Sequence, residues 1–173
     1  MQSKEFLDVV MKTDVEPNIG ISAADRAGVV RILSSLLSDE YVLYTKTRNY
    51  HWNVVGPQFN DLHKFFQSQY EELDEVMDDV AERIRTVAGK SIATLAEFIE
   101  FARLKEHVGE YPDATRMISN LLADHEAIIR NLRIDLETCA NKYHDIGTND
   151  FLTGLMEKHE KMAWMLRAFL EGK

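Results

Sequence analysis

The chain has 173 residues, of which 45% are hydrophobic, and a formal net charge of −9 at pH 7. Its length suits one domain with its own core, its single cysteine excludes an intramolecular disulfide, and its acidic balance disfavours nucleic acid and anionic membranes as partners. No apolar run approaches the roughly 20 residues of a membrane span, and the first residues lack the apolar stretch of a secretory signal. These exclusions predict a cytoplasmic protein.

Helical periodicity dominates the chain after an acidic N-terminal tail at residues 1–21, which ends in a turn around Pro17 and Gly20. Apolar residues recur three and four positions apart in each later segment, and no segment shows the alternation of a β-strand. The predicted helices cover about 23–54, 59–88, 94–103, 114–143 and 149–170.

Start and stop signals bound these helices. The stretch from Ser22 to Asp25 resembles a capping box, the stretch from Thr94 to Glu97 is another, and Asp113 is a typical N-cap. A Gly-Pro break at residues 56–57 separates the first two helices, and residues 147–149 are predicted to cap the last one.

Four long helices, with a short helix inside the long connection between the second and the third, predict an all-α protein. A long crossover of this kind is typical of a ferritin-like four-helix bundle and not of a simple up-and-down bundle. The bundle domain is predicted over residues 22–173, after the tail at 1–21.

The stretch from 48 to 83 combines histidines with carboxylates. His51 precedes the Gly-Pro break, and six polar residues after the break share one stripe of the second helix because three or four positions separate each from the next. They are His63, Gln67, Glu71, Asp74, Asp78 and Glu82. Imidazole and carboxylate groups together are typical ligands of iron or zinc.

The length of the stripe limits how these residues act together. His63 and Asp78 are separated by about 22 Å along a helix axis, so one metal ion cannot contact both within one chain. Either the stripe contains two unrelated half-sites, or a second copy of the helix runs antiparallel and brings its own Asp78 and Glu82 opposite His63. The second arrangement places the site on a two-fold subunit interface.

Plainer interpretations compete with a metal site. The acidic run from Glu71 to Glu82 also suits a solvated helix face, and His125 and His159 suit the bundle surface or a subunit interface. No histidine has a glutamate three positions before it, so the Glu-x-x-His pairs of an intra-bundle di-iron centre are missing. Zinc-peptidase, phosphate-loop and nucleophile motifs are missing as well.

Residues 44–83 resemble the Dps family of mini-ferritins, the DNA-binding proteins from starved cells. The resemblance depends on His51-Trp52-Asn53, on Leu62-His63, and on Asp78 with Ala81-Glu82-Arg83, and it extends over residues 22–170. The spacing from His-Trp to the second His, together with Asp-x-x-Ala-Glu-Arg, is specific to this family.

The resemblance implies a hollow homododecamer with ferroxidase sites at its two-fold interfaces. The catalytic ligands would be His51 and His63 of one subunit with Asp78 and Glu82 of the partner subunit. The resemblance also implies that the protein oxidises Fe(II), preferably with hydrogen peroxide, stores ferric iron and so protects against oxidative stress. Zinc is the alternative metal for the protein as isolated.

Two features depart from the family pattern. Gln67 stands where the family has Asp or sometimes Glu, and an amide ligates iron without adding negative charge, so the resemblance implies a weaker iron position there. The tail is net acidic, whereas many relatives bind DNA through lysine-rich tails, so DNA binding has no support from the tail. The alternative function is a nucleoid-compacting or structural shell with degenerate metal sites.

Overall fold

The computed structural model describes residues 3–171, with side chains from Phe6 onward, and this part of the chain contains helices and no strands. Its helices are α1 Ser3–Val10, α2 Ala23–Asn53, α3 Phe59–Thr86, α4 Leu95–Phe101, α5 Ala114–Asn141 and α6 Ile146–Leu170. The last two residues of the predicted domain, 172–173, lie outside the described part. Within that part, no helix is both long enough and apolar enough to cross a membrane.

Two antiparallel helix pairs form the bundle: α2 packs along α3, and α5 packs along α6. The ring centroids of Tyr44 and Tyr70 lie 6.1 Å apart across the first pair, and Arg133 pairs with Glu160 at 2.5 Å across the second. The short α4 lies in the crossover between the pairs. The predicted all-α fold class, a four-helix bundle with a short helix in the crossover, is confirmed.

The helix α1 lies in the segment that the sequence analysis treats as a tail. Phe6 is 1% exposed, and its ring centroid lies 4.4 Å from that of Phe101 at the end of α4. The amide of Lys90 donates to the carbonyl of Val10 at 2.7 Å. The described part of α1 is therefore packed against the bundle. Its 8 residues are too few for helical periodicity to be evident in the sequence.

The starts of three helices agree with the sequence, and the start of α6 does not. The side chains of Ser22, Thr94 and Asp113 accept backbone amide hydrogens as predicted. In α6, Asp145 is the N-cap and accepts the amide of Thr148 at 2.9 Å. The predicted cap at 147–149 is wrong because those residues already lie inside the helix.

One buried carboxylate connects the crossover to the bundle. Asp39 of α2 is 0% exposed; its Oδ1 accepts the amides of Arg103 and Leu104 at 2.6 and 3.0 Å, and its Oδ2 accepts Nε of Arg103 at 2.7 Å. Arg103 also donates to Asp135 of α5 at 2.8 Å. The chain that follows α4 is therefore held to two of the four long helices.

Candidate metal centre

The turn between α2 and α3 brings His51 and His63 into direct contact. Their rings stack with centroids 3.8 Å apart, although 12 positions separate the two residues. Gly56 in the turn has a φ of 113°, which glycine adopts without the strain that a side chain would introduce. The reversal places the end of α2 beside the beginning of α3.

Each member of this histidine pair (His51 and His63) hydrogen-bonds to the backbone of the other. Nδ1 of His51 donates to the carbonyl oxygen of His63 at 2.8 Å, and Nδ1 of His63 donates to the carbonyl oxygen of His51 at 2.9 Å. His51 lies in the last turn of α2, where carbonyl groups have no partner within the helix. The second hydrogen bond therefore satisfies a helix end while it orients a ring.

These hydrogen bonds determine the tautomer of both rings. A carbonyl oxygen carries no hydrogen, so each Nδ1 must hold a proton, and in the neutral ring each Nε2 is left with a free lone pair. Histidines that bind metals commonly donate the other ring N–H to a backbone carbonyl, because this orients the ring and raises its basicity. The pair therefore has the preorganisation of a metal half-site.

Aromatic side chains surround the pair, and some of them are exposed. The ring of Tyr70 meets His51 edge-on with centroids 5.2 Å apart, and Phe59 stacks on His63 at 5.2 Å. His51 is only 8% exposed, whereas Trp52 next to it is 65% exposed. The half-site is thus shielded on its inner side and has an apolar, solvent-facing surface on its outer side.

Arg48 and Tyr70 are further neighbours of the pair, and neither was predicted from the sequence. The guanidinium of Arg48 lies 4.7 Å from the ring centroid of Tyr70 and 5.2 Å from that of Trp52, and it donates to the hydroxyl of Tyr44 at 2.8 Å. The spacing of Tyr44, Arg48 and Trp52 by four positions is a signal for this stacking. Tyr70 lies on α3, so its contact with Arg48 depends on the register between α2 and α3 and has no signal in the sequence.

Gln67 lies one turn after His63 and is half-buried. Its Nε2 donates to Oε1 of Glu71 at 2.7 Å. Because the amide nitrogen is engaged in this way, Oε1 is the end of the side chain that is left to ligate a cation. Glu71 also places a negative charge beside the neutral amide.

The acidic residues of the predicted site lie further along α3. Asp78 and Glu82 are exposed, and Asp78 follows His63 by about 22 Å along the helix. Asp78 borders an open groove that is also lined by Tyr41, Met77 and Phe98. Among residues 3–171, no three His, Cys, Asp or Glu side chains converge in a way that could hold a metal ion. One chain therefore presents a pair of imidazoles and, separately, a pair of carboxylates.

The other histidines singled out in the sequence lie inside the bundle. His125 and His159 are both 0% exposed, so the prediction that they lie on the surface or at an interface is wrong. The signal was present in the sequence, because His125 follows the buried Leu121 by four positions and precedes the buried Ile128 by three. Cys139 is buried too, and burial raises the pKa of its thiol to about 12, so this thiol stays protonated at neutral pH.

Comparisons with known proteins agree with this architecture. The family model described as a ferritin-like domain matches residues 30–172. An uncharacterized low temperature-induced protein of Nostoc is 50% identical over 156 residues, which cover 90% of this chain and 87% of that protein. The DNA protection during starvation protein 2 of Bacillus anthracis is 38% identical over 143 residues, which cover 82% of this chain and 96% of that protein.

A solved structure extends the comparison to three dimensions. The crystal structure of a Dps protein from Vibrio cholerae, described as a member of a broad superfamily of ferritin-like diiron-carboxylate proteins, has a TM-score of 0.84 and 28% identity to this chain. The match covers 92% of this chain and 100% of that one. The chain therefore belongs to the ferritin-like proteins and, within them, to the Dps family.

Proposed function

We propose that the protein is a mini-ferritin that oxidises Fe(II) at sites shared between two subunits and stores the ferric product in a hollow dodecamer. The observation on which this proposal depends is the histidine pair, with both Nε2 atoms available to a metal. Membership in a family of ferritin-like proteins supports iron as the substrate. A chain with partial ligand sets needs a second chain to complete the site.

A two-fold axis would supply the missing ligands. If α3 packs against an antiparallel copy of itself, Asp78 and Glu82 of the partner subunit lie opposite His51 and His63. The symmetry repeats the contact with the roles exchanged, so each pair of subunits would contain two equivalent sites. Of the two alternatives, two unrelated half-sites or one shared site, the proposal adopts the shared site.

The surface of the subunit supports association. Trp52 and Val55 beside the histidine pair are 65% and 75% exposed, and Leu95 and Ile99 on α4 are 74% and 62% exposed. Large apolar side chains that cluster at the surface mark interaction sites. The groove next to Asp78, with its apolar wall, is a further surface that a partner subunit would cover.

The donor set suits the oxidation of iron. Imidazoles are borderline ligands that suit ferrous iron, and carboxylates are hard ligands that stabilise ferric iron. Two ferrous ions would each give one electron to hydrogen peroxide and the O–O bond would break. With two protons taken up from solvent, both oxygens would leave as water, or they would enter the ferric mineral as oxide or hydroxide. Because both electrons reach the peroxide at one site, no hydroxyl radical is released. Zinc fits the same donors and would compete for them.

Gln67 is expected to reduce the rate at this site. Replacing it by Asp adds a hard, charged ligand, so oxidation at limiting Fe(II) should become about 10-fold faster, the lower end of the effects known for groups that support a metal ligand. Stopped-flow absorbance of the ferric product measures the rate. Ser68→Asp is the matched control because Ser68 is exposed and next to Gln67. The substitution adds the same negative charge at a position outside the stripe. Equal rates for the wild type and Gln67→Asp would contradict the role given to Gln67.

A second candidate function is the binding and compaction of DNA, which the name of the Bacillus anthracis relative favours. The formal net charge of −9 opposes it, because phosphate binding needs clustered cationic side chains. The described part of the tail is also packed on the bundle at Phe6. In this alternative, the metal sites are degenerate and the assembly itself is the functional unit.

An iron-oxidation assay and a DNA gel shift at low salt, on the same preparation, distinguish the two functions. Iron oxidation coupled to consumption of peroxide, in an assembly that light scattering sizes well above a dimer, is the result we expect. Retarded DNA without iron oxidation would favour the nucleoid-compacting shell. A monomer or dimer without either activity would contradict both.

A further inference from the structure

A glutamate and two histidines lie fully buried inside the bundle, each on a different helix. Glu40 of α2, His125 of α5 and His159 of α6 are all 0% exposed. Nε2 of His159 lies 2.9 Å from Oε1 of Glu40, and Nδ1 of His159 lies 3.0 Å from Nδ1 of His125. Within this core cluster (Glu40, His159 and His125), both carboxylate oxygens of Glu40 and the Nε2 atoms of both histidines have no hydrogen-bond partner, so Glu40 and His159 meet at ion-pair distance without a hydrogen bond.

The contact between the two histidines contains one shared hydrogen. Two bare nitrogen lone pairs at 3.0 Å would repel, and two N–H groups would collide, so one Nδ1 donates and the other accepts. Nδ1 of His159 is engaged with His125, and its Nε2 lies at ion-pair distance from Glu40. A further proton brings positive charge into the histidine contact, where Nε2 of His125 faces no acceptor in a dry core.

The charges that flank the cluster in sequence are already used in other ion pairs. These pairs are Asp39–Arg103, Asp124–Lys46, Glu126–Arg167, Lys158–Glu72 and Glu160–Arg133. The remaining long helix, α3, meets this part of α6 with the neutral amide of Gln69, which donates to the carbonyl of Met162 at 3.4 Å. Within the cluster, Glu40 is therefore the counter-charge for two histidines.

We propose that the core cluster makes the bundle acid-sensitive: it joins α2, α5 and α6 while His125 is neutral, and it separates them when acid adds a proton to His125. The three ring and carboxylate groups do not converge on one point, and the described residues contain no metal cage, so a proton is the ligand that fits. The device depends on the core alone and stands whether or not the protein oxidises iron. In the proposed dodecamer it would open subunits under acid conditions.

The direction of the effect follows from the titration of His125. Burial, followed by the charge of His159, lowers the pKa of His125 well below its ordinary value of 6.5. At pH values between 6.5 and that lower pKa, His125 binds a proton in the unfolded chain but not in the folded chain. The titration of His125 therefore does not change stability above pH 6.5. As the pH decreases from 6.5, it lowers stability, and the unfolding equilibrium constant rises by up to about tenfold per pH unit.

Histidine C2 hydrogen–deuterium exchange, read by mass spectrometry on the whole wild-type protein, tests the titration directly. The exposed His107 serves as the internal reference. We expect the exchange midpoint of His125 at a lower pH than that of His107, because burial disfavours the charged imidazole. A midpoint of His125 at or above that of His107 would overturn the proposal.

A triple variant tests the structural consequence. Glu40→Leu, His125→Phe and His159→Leu together replace the cluster with apolar side chains, a change that buried ionic groups often tolerate. Between pH about 5 and about 8, the stability measured by urea unfolding should fall more steeply on acidification in the wild type than in the variant. The difference in slope should be up to about tenfold in the unfolding equilibrium constant per pH unit. Parallel pH dependence in the two proteins would overturn the proposal. If the variant does not fold, the exchange experiment alone decides.

Discussion

Replacing His63 by Ala is expected to lower the rate of peroxide-driven Fe(II) oxidation by about 100-fold, the upper end of the effects known for groups that support a metal ligand. The change removes one available Nε2. It also removes the hydrogen bond of 2.9 Å to the carbonyl of His51, which closes the reciprocal contact between the two residues. Stopped-flow measurement of ferric absorbance, with Fe(II) limiting, gives the rate.

His107→Ala is the control for this experiment, because His107 is an exposed histidine in the crossover and is not a member of the pair. It should retain the wild-type rate. Circular dichroism should show the same helix content for both variants, since His63 is half-buried at the helix surface. A His63→Ala rate within about threefold of the wild type, less than 1 kcal/mol of transition-state stabilisation, would remove the histidine pair from the proposed site.

Replacing Asp39 of α2 by Ala is expected to destabilise the protein strongly, because this buried carboxylate holds the crossover to the bundle. It leaves the amides of Arg103 and Leu104 without their buried acceptor. Removing one partner of a buried ion pair destabilises a protein by about 3 kcal/mol or more, and the 32% exposure of the Arg103 side chain places the expected loss near the lower end. Urea unfolding at neutral pH measures it.

Asp135→Ala is the matched control for Asp39→Ala. It removes a single hydrogen bond of 2.8 Å from the same guanidinium, without affecting a backbone amide, so its loss should be about 1 kcal/mol. Equal losses in the two variants would show that Asp39 holds Arg103 alone and does not hold the backbone of the crossover.

The fold could be predicted because the long helices repeat their apolar residues over many turns. The periodicity of α2, α3 and α5 and the caps at Ser22, Thr94 and Asp113 are local properties of the sequence. α1 is different, because its helix depends on the contact of Phe6 with Phe101, and the two are distant in sequence. The start of α6 was misplaced because Gly147 resembles a break, although Asp145 before it caps the helix.

The candidate site could be predicted only in part. The sequence places His51 and His63 on either side of a tight turn, but the reciprocal hydrogen bonds depend on the orientation of two backbone carbonyls, which no spacing rule specifies. The core cluster was missed because its contacts join single residues of three helices that are far apart in the sequence. The pairing of the histidines with carboxylates of a second chain depends on assembly.

Subunit mixing tests the shared site most directly. One variant, His51→Ala with His63→Ala, lacks the imidazoles; the other, Asp78→Asn with Glu82→Gln, lacks the carboxylates. In a pair made of one subunit of each kind, one site loses all four ligands, and the other site receives intact imidazoles from one chain and intact carboxylates from the other. Each variant alone should be inactive.

Co-expression of the two variants at equal levels, with assemblies containing both isolated by two different tags, provides the measurement. If subunits pair at random, half of the pairs are mixed and each has one intact site of two, so oxidation should recover to about a quarter of the wild-type rate. The shared-site account predicts this recovery from two inactive parents. A mixed assembly as inactive as its parents would contradict it.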